Sequence, residues 1–202
     1  MTPVALGAEF GLSAADAEKF KSKASAWAGL MSALKAKGFY DRVLVEVPDE
    51  VAALMKHPPT GGAWMPAVAF SYVFVALRGT IDDARMLDLA NASILRGPMR
   101  AMKPMVEGML RLFGTSPLAF FRRLPKIMAQ QLQGVTFELV EEQETEVVVE
   151  IRYHFVSGLP REAFVYWDGV QRGTFDICGV TPKQCSMTVD PDASAARYHY
   201  RW

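Results

Sequence analysis

The feature that most restricts how this chain can fold is a change of hydrophobic period at Gly134. Upstream, apolar residues return every three or four positions; downstream, Val135, Phe137 and Leu139 alternate with Thr136, Glu138 and Val140. A period near 3.6 puts apolar side chains on one face of a helix, and a period of two puts them on one face of a strand. The chain therefore reads as a run of helices followed by paired strands. That order predicts an α+β fold, N-terminal helices packed on a small antiparallel sheet, and not the strict alternation of a doubly wound parallel sheet.

Local signals set the expected boundaries. Ser13 and Asp16 open a first helix over residues 14–37, carried by Phe20, Trp27, Leu30, Met31 and Leu34 and stopped by Gly38. A short helix starts at Pro48 and ends before Pro58-Pro59, because a residue preceding proline is pushed out of the α region. Helices are expected over 64–78, 81–95, 98–113 and 117–133, with Pro104 and Pro125 as internal kinks. A hairpin turning at 142–145 follows, then a helix from Pro160 to Asp176. Strands at 184–189 and 196–202, joined by Asp190-Pro191-Asp192, complete two hairpins around the late helix.

At 202 residues, half of them hydrophobic, one core is the natural expectation. The organisation expected is a single domain over 1–202, with a helical N-terminal extension (1–57) and a ligand-binding-like core (58–202). Lys plus Arg and Asp plus Glu number 22 each, so no global field draws the chain to nucleic acid or to an anionic membrane. No stretch is apolar over the 18 or so residues that span a bilayer, and the N-terminus lacks the pattern of a signal peptide; the cytoplasm is the expected location.

Residues 58–202 carry a looser set of marks: Phe121-Arg122-Arg123-Leu124-Pro125-Lys126, a Gly158-Leu159-Pro160 turn, and a closing Ala196-Arg197-Tyr198-His199-Tyr200-Arg201-Trp202. In these the chain resembles a family of uncharacterised myxobacterial paralogues that end on a similar strand. Its order of elements is similar to the superfamily of 4-vinyl-reductase-type sensors, haem-nitric-oxide-binding domains and TRAPP tethering subunits. The resemblance implies an α+β ligand-binding or scaffold domain, commonly dimeric, and no single chemistry.

Haem needs an axial ligand, usually a histidine on a pocket-lining helix, and residues 81–133 contain none. No cofactor is expected. Cys178 and Cys185 lie near the place where vinyl-reductase-type domains hold a structural zinc, but zinc needs two more donors and only His154 and His199 offer themselves; free thiols are the expectation, and no metal site. Nucleophile elbows, phosphate loops and dinucleotide fingerprints are absent, so no catalytic residue and no enzymatic activity are expected.

Two binding features stand out. Met102, Met105, Met109 and Met128, with Phe120 and Phe121, are expected to line an apolar cavity among the kinked helices, because methionine suits a pocket for variable apolar ligands as well as it suits an irregular core. Arg96, Arg100, Lys103 and Arg111 share one helix face, while Glu138 to Glu150 holds six acids and no base. That face is either ordinary solvated surface or the docking site of an acidic partner, including the acidic hairpin of a second copy. The function expected is a non-enzymatic small-molecule sensor or adaptor; the alternative is a TRAPP-like dimeric interaction module without ligand. Light scattering at micromolar concentration is expected to give twice the mass of the 22.4 kDa chain, with charge reversal at Arg100 and Lys103 weakening association more at low salt than at high.

Overall fold

The computed structural model describes residues 6–96, 116–190, 192 and 194–202. After a 3-10 turn at Ala8–Phe10, the described elements run α1 (Ala14–Ala17), β1 (Lys21–Lys23), α2 (Ala24–Lys37), α3 (Tyr40–Glu46), α4 (Asp49–Lys56), β2 (Trp64–Pro66), α5 (Val68–Leu77) and α6 (Asp83–Arg96). They continue with α7 (Pro117–Phe121), α8 (Leu124–Ala129), β3 (Leu132–Gln133), β4 (Val135–Gln143), β5 (Glu146–Tyr153), α9 (Arg161–Cys178), β6 (Gln184–Asp190) and β7 (Ala195–Arg201). The fold is α+β, helices followed by an antiparallel sheet, as the change of period implies.

That sheet has the order β4-β5-β7-β6, so the two hairpins join through β5 and β7, with Ile151 opposite Ala196 and Val147 opposite Tyr200. Glu144-Thr145 makes the first turn, and a bulge between Leu139 and Glu141 lets Val140 turn outward. Glu142 thus belongs to strand β4 and not to the turn expected at 142–145. Helix α9 crosses one face of the sheet. On its other side it packs on α6, which in turn packs on α2.

A second, three-stranded sheet, β2-β1-β3, corrects three helical expectations. The helix read over 14–37 is two helices separated by β1, the one read over 64–78 begins as β2, and the one read over 117–133 is two short helices ending in β3. Ser22 explains the first error. It lies in a stretch that continues the helical spacing of Phe20 and Trp27, yet it is fully buried and pairs with Met65 on one side and Leu132 on the other. Strands of two or three residues are stabilised by partners distant in sequence, which local periodicity does not register. Pro125 does not kink a helix but sits in the first turn of a new one, α8, where its missing N–H costs nothing. Helix α3 was not anticipated from the sequence at all.

Helix starts follow the expected chemistry at Ser13, whose hydroxyl accepts from the Asp16 N–H at 3.1 Å, and at Asp82, whose carboxylate accepts from the Arg85 N–H at 2.8 Å. Asp83 accepts two hydrogen bonds from the Arg161 guanidinium, at 2.6 and 2.8 Å, which ties the start of α6 to the start of α9.

Gly169 sets how closely those helices approach. A Cβ built on it would lie 2.6 Å from the Ala90 Cβ and 2.8 Å from the Leu87 carbonyl oxygen, so only glycine allows the contact. Gly169→Ala is expected to cost roughly 1–3 kcal/mol despite the better helix propensity of alanine. Gly173→Ala, whose Cβ would meet only the Asn91 Oδ1 at 3.5 Å, should be neutral or slightly stabilising. Urea unfolding of the two variants checks the contrast.

Candidate functional site

Between the two sheets, α2, α5, the end of α6, α7, α8 and α9 line a cavity of about 100 Å³. Phe70 and Phe74 of α5, Phe120 of α7, Met128 of α8, and Tyr166 and Val170 of α9 form much of its apolar wall. Phe20 and Leu132 close it beside the small sheet, and Val135 and Tyr153 beside the large one. No charged residue lines it among the described residues. Its polar groups include the Ser22, Ser93 and Thr174 hydroxyls, Gln131, Tyr153, Tyr166 and Trp167.

Hydrogen bonds hold several of these groups in place. The Ser93 hydroxyl donates to the Ala90 carbonyl at 2.8 Å, so in its 2.5 Å contact with the Tyr166 hydroxyl the tyrosine is the donor. Trp167 Nε1 donates to the Tyr153 hydroxyl at 2.6 Å. Burial pushes the Tyr166 hydroxyl up to about 12 and raises that of Tyr153 further, so both remain protonated donors at any physiological pH. Edge-to-face contacts of Tyr153 with Phe20 (6.0 Å) and Phe164 (5.9 Å) fix its ring.

The side chains singled out by sequence divide. Phe120 and Met128 line the cavity. Phe121 does not: it is fully buried in the neighbouring core, stacked on Tyr200 at 5.6 Å and beside Phe175 at 5.7 Å. Adjacent residues of a helix cannot both face one cavity, since each step turns the side chain by about 100°. Met102, Met105 and Met109 lie outside the described residues, as do Arg100, Lys103 and Arg111. Arg96 is exposed at the end of α6. Most of the wall went unnoticed in the sequence, because aromatic residues on α5 and α9 carry the same signal as any buried helix face.

The acidic hairpin meets a basic residue of its own chain. Arg122 donates Nε and Nη2 to the two carboxylate oxygens of Glu142, at 3.0 and 3.1 Å, which holds Glu142 below the usual carboxylate range. Part of the charge separation expected to join two copies is thus satisfied within one.

Cys178 ends α9 and Cys185 lies on β6; both are free, and burial raises both thiols, which makes them poor nucleophiles. His199 contacts Glu146 at 2.7 Å, and His154 contacts Thr136. Among the described residues no three His, Cys, Asp or Glu side chains gather as a metal site would require. No helix among them is long and apolar enough to cross a membrane.

This arrangement of helices followed by a four-stranded antiparallel sheet is similar to the fold of haem-nitric-oxide-binding (H-NOX) domains. An H-NOX protein from K. algicida in its Fe(II) unliganded form aligns with a TM-score of 0.62 at 11% identity, over 89% of this chain and 95% of that one. An oxygen-binding H-NOX domain related to soluble guanylate cyclases, in its oxygen complex, aligns with a TM-score of 0.58 at 10% identity, over 89% and 94%. No family model matches the chain and no curated protein does. The likeness is one of fold, and it meets the haem-nitric-oxide-binding part of the resemblance expected from the order of elements.

The described lining of the cavity does not fit a haem. Among its described lining residues the one sulfur is the Met128 thioether, no histidine or cysteine is present, and no cation faces the propionates a haem carries. His57, His154 and His199 lie elsewhere, and residues 97–115 contain neither His nor Cys. A cavity of about 150 Å³ accommodates benzene; this one, at about 100 Å³, is far too small for a porphyrin. Titration of the protein with hemin is therefore expected to produce no sharp Soret band of an axially ligated haem, checked by absorption spectroscopy against a haem-free buffer control.

Proposed function

We propose that this chain is a non-enzymatic sensor or adaptor domain that keeps the H-NOX scaffold and uses its interior for a small apolar molecule in place of haem. The observation that carries this reading is the cavity: a space in the core lined, among the described residues, by aromatic and aliphatic side chains and by no charged one, where the two sheets meet the helices. The scaffold supports it too, since the neighbours named above are haem proteins, one of them in an oxygen complex. Among the described residues no pair of activated nucleophile and base faces the cavity, which favours binding over catalysis.

The size of the cavity bounds the affinity. A compact ligand burying on the order of 200 Å² of apolar surface gains about 5 kcal/mol at roughly 25 cal/mol per Å². A Kd near 1 mM corresponds to about 4 kcal/mol, so submillimolar to millimolar binding is the range to search. Empty apolar space costs the protein dispersion contacts that a ligand restores.

The test is a thermal-shift screen of compact neutral molecules: benzene, toluene and small cyclic ketones. At ten times Kd a binder stabilises the native state by roughly 1.4 kcal/mol, a rise in Tm of about 3–6 °C for a chain of this size. Met128→Trp, which fills the cavity from α8, should abolish the response while remaining folded by circular dichroism. If no compound raises the Tm of the wild type, the interaction-module reading replaces this one.

A further inference from the structure

The hydrogen-bond inventory of the cavity narrows the ligand class, given the binding role proposed above. Trp167 Nε1 is a donor only, so in its 2.6 Å contact the Tyr153 oxygen accepts, and the tyrosine's own proton is not donated to any described group. Tyr166, by contrast, spends its proton on Ser93. The Gln131 side-chain Oε1 in the same wall is also buried without a partner, but as an acceptor it takes no part in binding another acceptor. A buried donor or acceptor without a partner is costly, and native interiors satisfy nearly all of them.

We propose that the cavity takes a small uncharged molecule with a carbonyl oxygen, which accepts a hydrogen bond from the Tyr153 hydroxyl. Three observations converge on this class. The spare proton calls for an acceptor. The absence of any lining cation among the described residues excludes a carboxylate, whose charge would be buried unpaired. The volume, about 100 Å³, restricts the molecule to roughly the size of a six-membered ring. Trp167 strengthens the arrangement: by donating to the Tyr153 oxygen it polarises the O–H and aligns its proton, as chained hydrogen bonds do. Burial raises the Tyr153 pKa, so the proton stays available for donation. Tyr153 is thus a specificity-determining residue, at the end of β5 where the large sheet meets the cavity.

The experiment compares cyclohexanone with methylenecyclohexane, which has nearly the same shape but no acceptor, and with hexanoate. Dissociation constants are measured by ligand-observed NMR for Trp167→Phe and for Trp167→Phe combined with Tyr153→Phe, a background that keeps a freed indole N–H from substituting for the hydroxyl. Removing the hydroxyl should weaken the ketone roughly fivefold and leave the hydrocarbon within about twofold. Hexanoate should bind none of the proteins. In the unaltered protein, ¹³C-labelled tyrosine should show a Cζ shift on adding cyclohexanone and not on adding the hydrocarbon, a readout independent of any variant's folding. Equal losses for ketone and hydrocarbon, or no Cζ response to a ketone that binds, would overturn the assignment of Tyr153 while leaving the apolar cavity standing. Failure of the unaltered protein to bind either compound would reject the cavity reading, and this inference with it.

Discussion

Helix α9 has almost no solvent face, and the rest of the structure is arranged around that fact. Along Arg161–Cys178, Phe164 and Phe175 enter the core beneath the large sheet, whereas Ala163, Val165, Tyr166 and Val170 enter the core made with the N-terminal helices. One helix therefore belongs to two hydrophobic clusters. Neither half can bury its apolar surface without it, because a sheet face and a helix stripe each need a covering layer. The Gly169 contact with Leu87 and Ala90 brings α6 against its backbone, and that close approach determines where the remaining helices can lie.

Polar ties fix α9 on the sheet side. Asp168 is buried and accepts from Arg172 at 2.7 and 2.9 Å and from the Tyr200 hydroxyl at 2.8 Å, while the Tyr198 hydroxyl donates to the Phe164 carbonyl at 3.0 Å. Burial and the neighbouring Asp168 keep Tyr200 far above its ordinary pKa, so it remains a donor. Bonds of this kind cost much when broken, since a buried charge is left unpaired. The exposed pairs, such as Arg122 with Glu142 and Arg197 with Glu150, contribute little each and orient rather than stabilise.

The cavity follows from the same architecture. Where α9 leaves one cluster for the other, side chains of α5, α7 and α8 meet it from different directions, and bulky rings fixed by hydrogen bonds do not collapse into the space between them. A scaffold similar to that of H-NOX domains thus surrounds, among the described residues, a cavity of about 100 Å³ with apolar walls and a few hydrogen-bonded hydroxyls. The axial ligand and the propionate partners are side-chain properties, and a fold shared at 10–11% identity does not carry them.

The sequence alone settled the coarse architecture. The period change at Gly134 separates helices from sheet, the two hairpins and the late helix appear nearly where expected, and the lack of histidine between residues 81 and 133 already argues against a haem ligand. Those features are local: they depend on spacing within a turn or a strand. The small sheet was invisible because Lys21–Lys23, Trp64–Pro66 and Leu132–Gln133 become strands only by pairing with one another across the chain. The site was half legible for the same reason. Phe120 and Met128 could be picked out as apolar residues among interrupted helices, but which of Phe120 and Phe121 faces the cavity depends on the rotation of α7 against α9 and the sheet. That the Tyr153 oxygen accepts from Trp167 was equally hidden, since the two are 14 residues apart in sequence and within hydrogen-bond distance only once helix and sheet have packed.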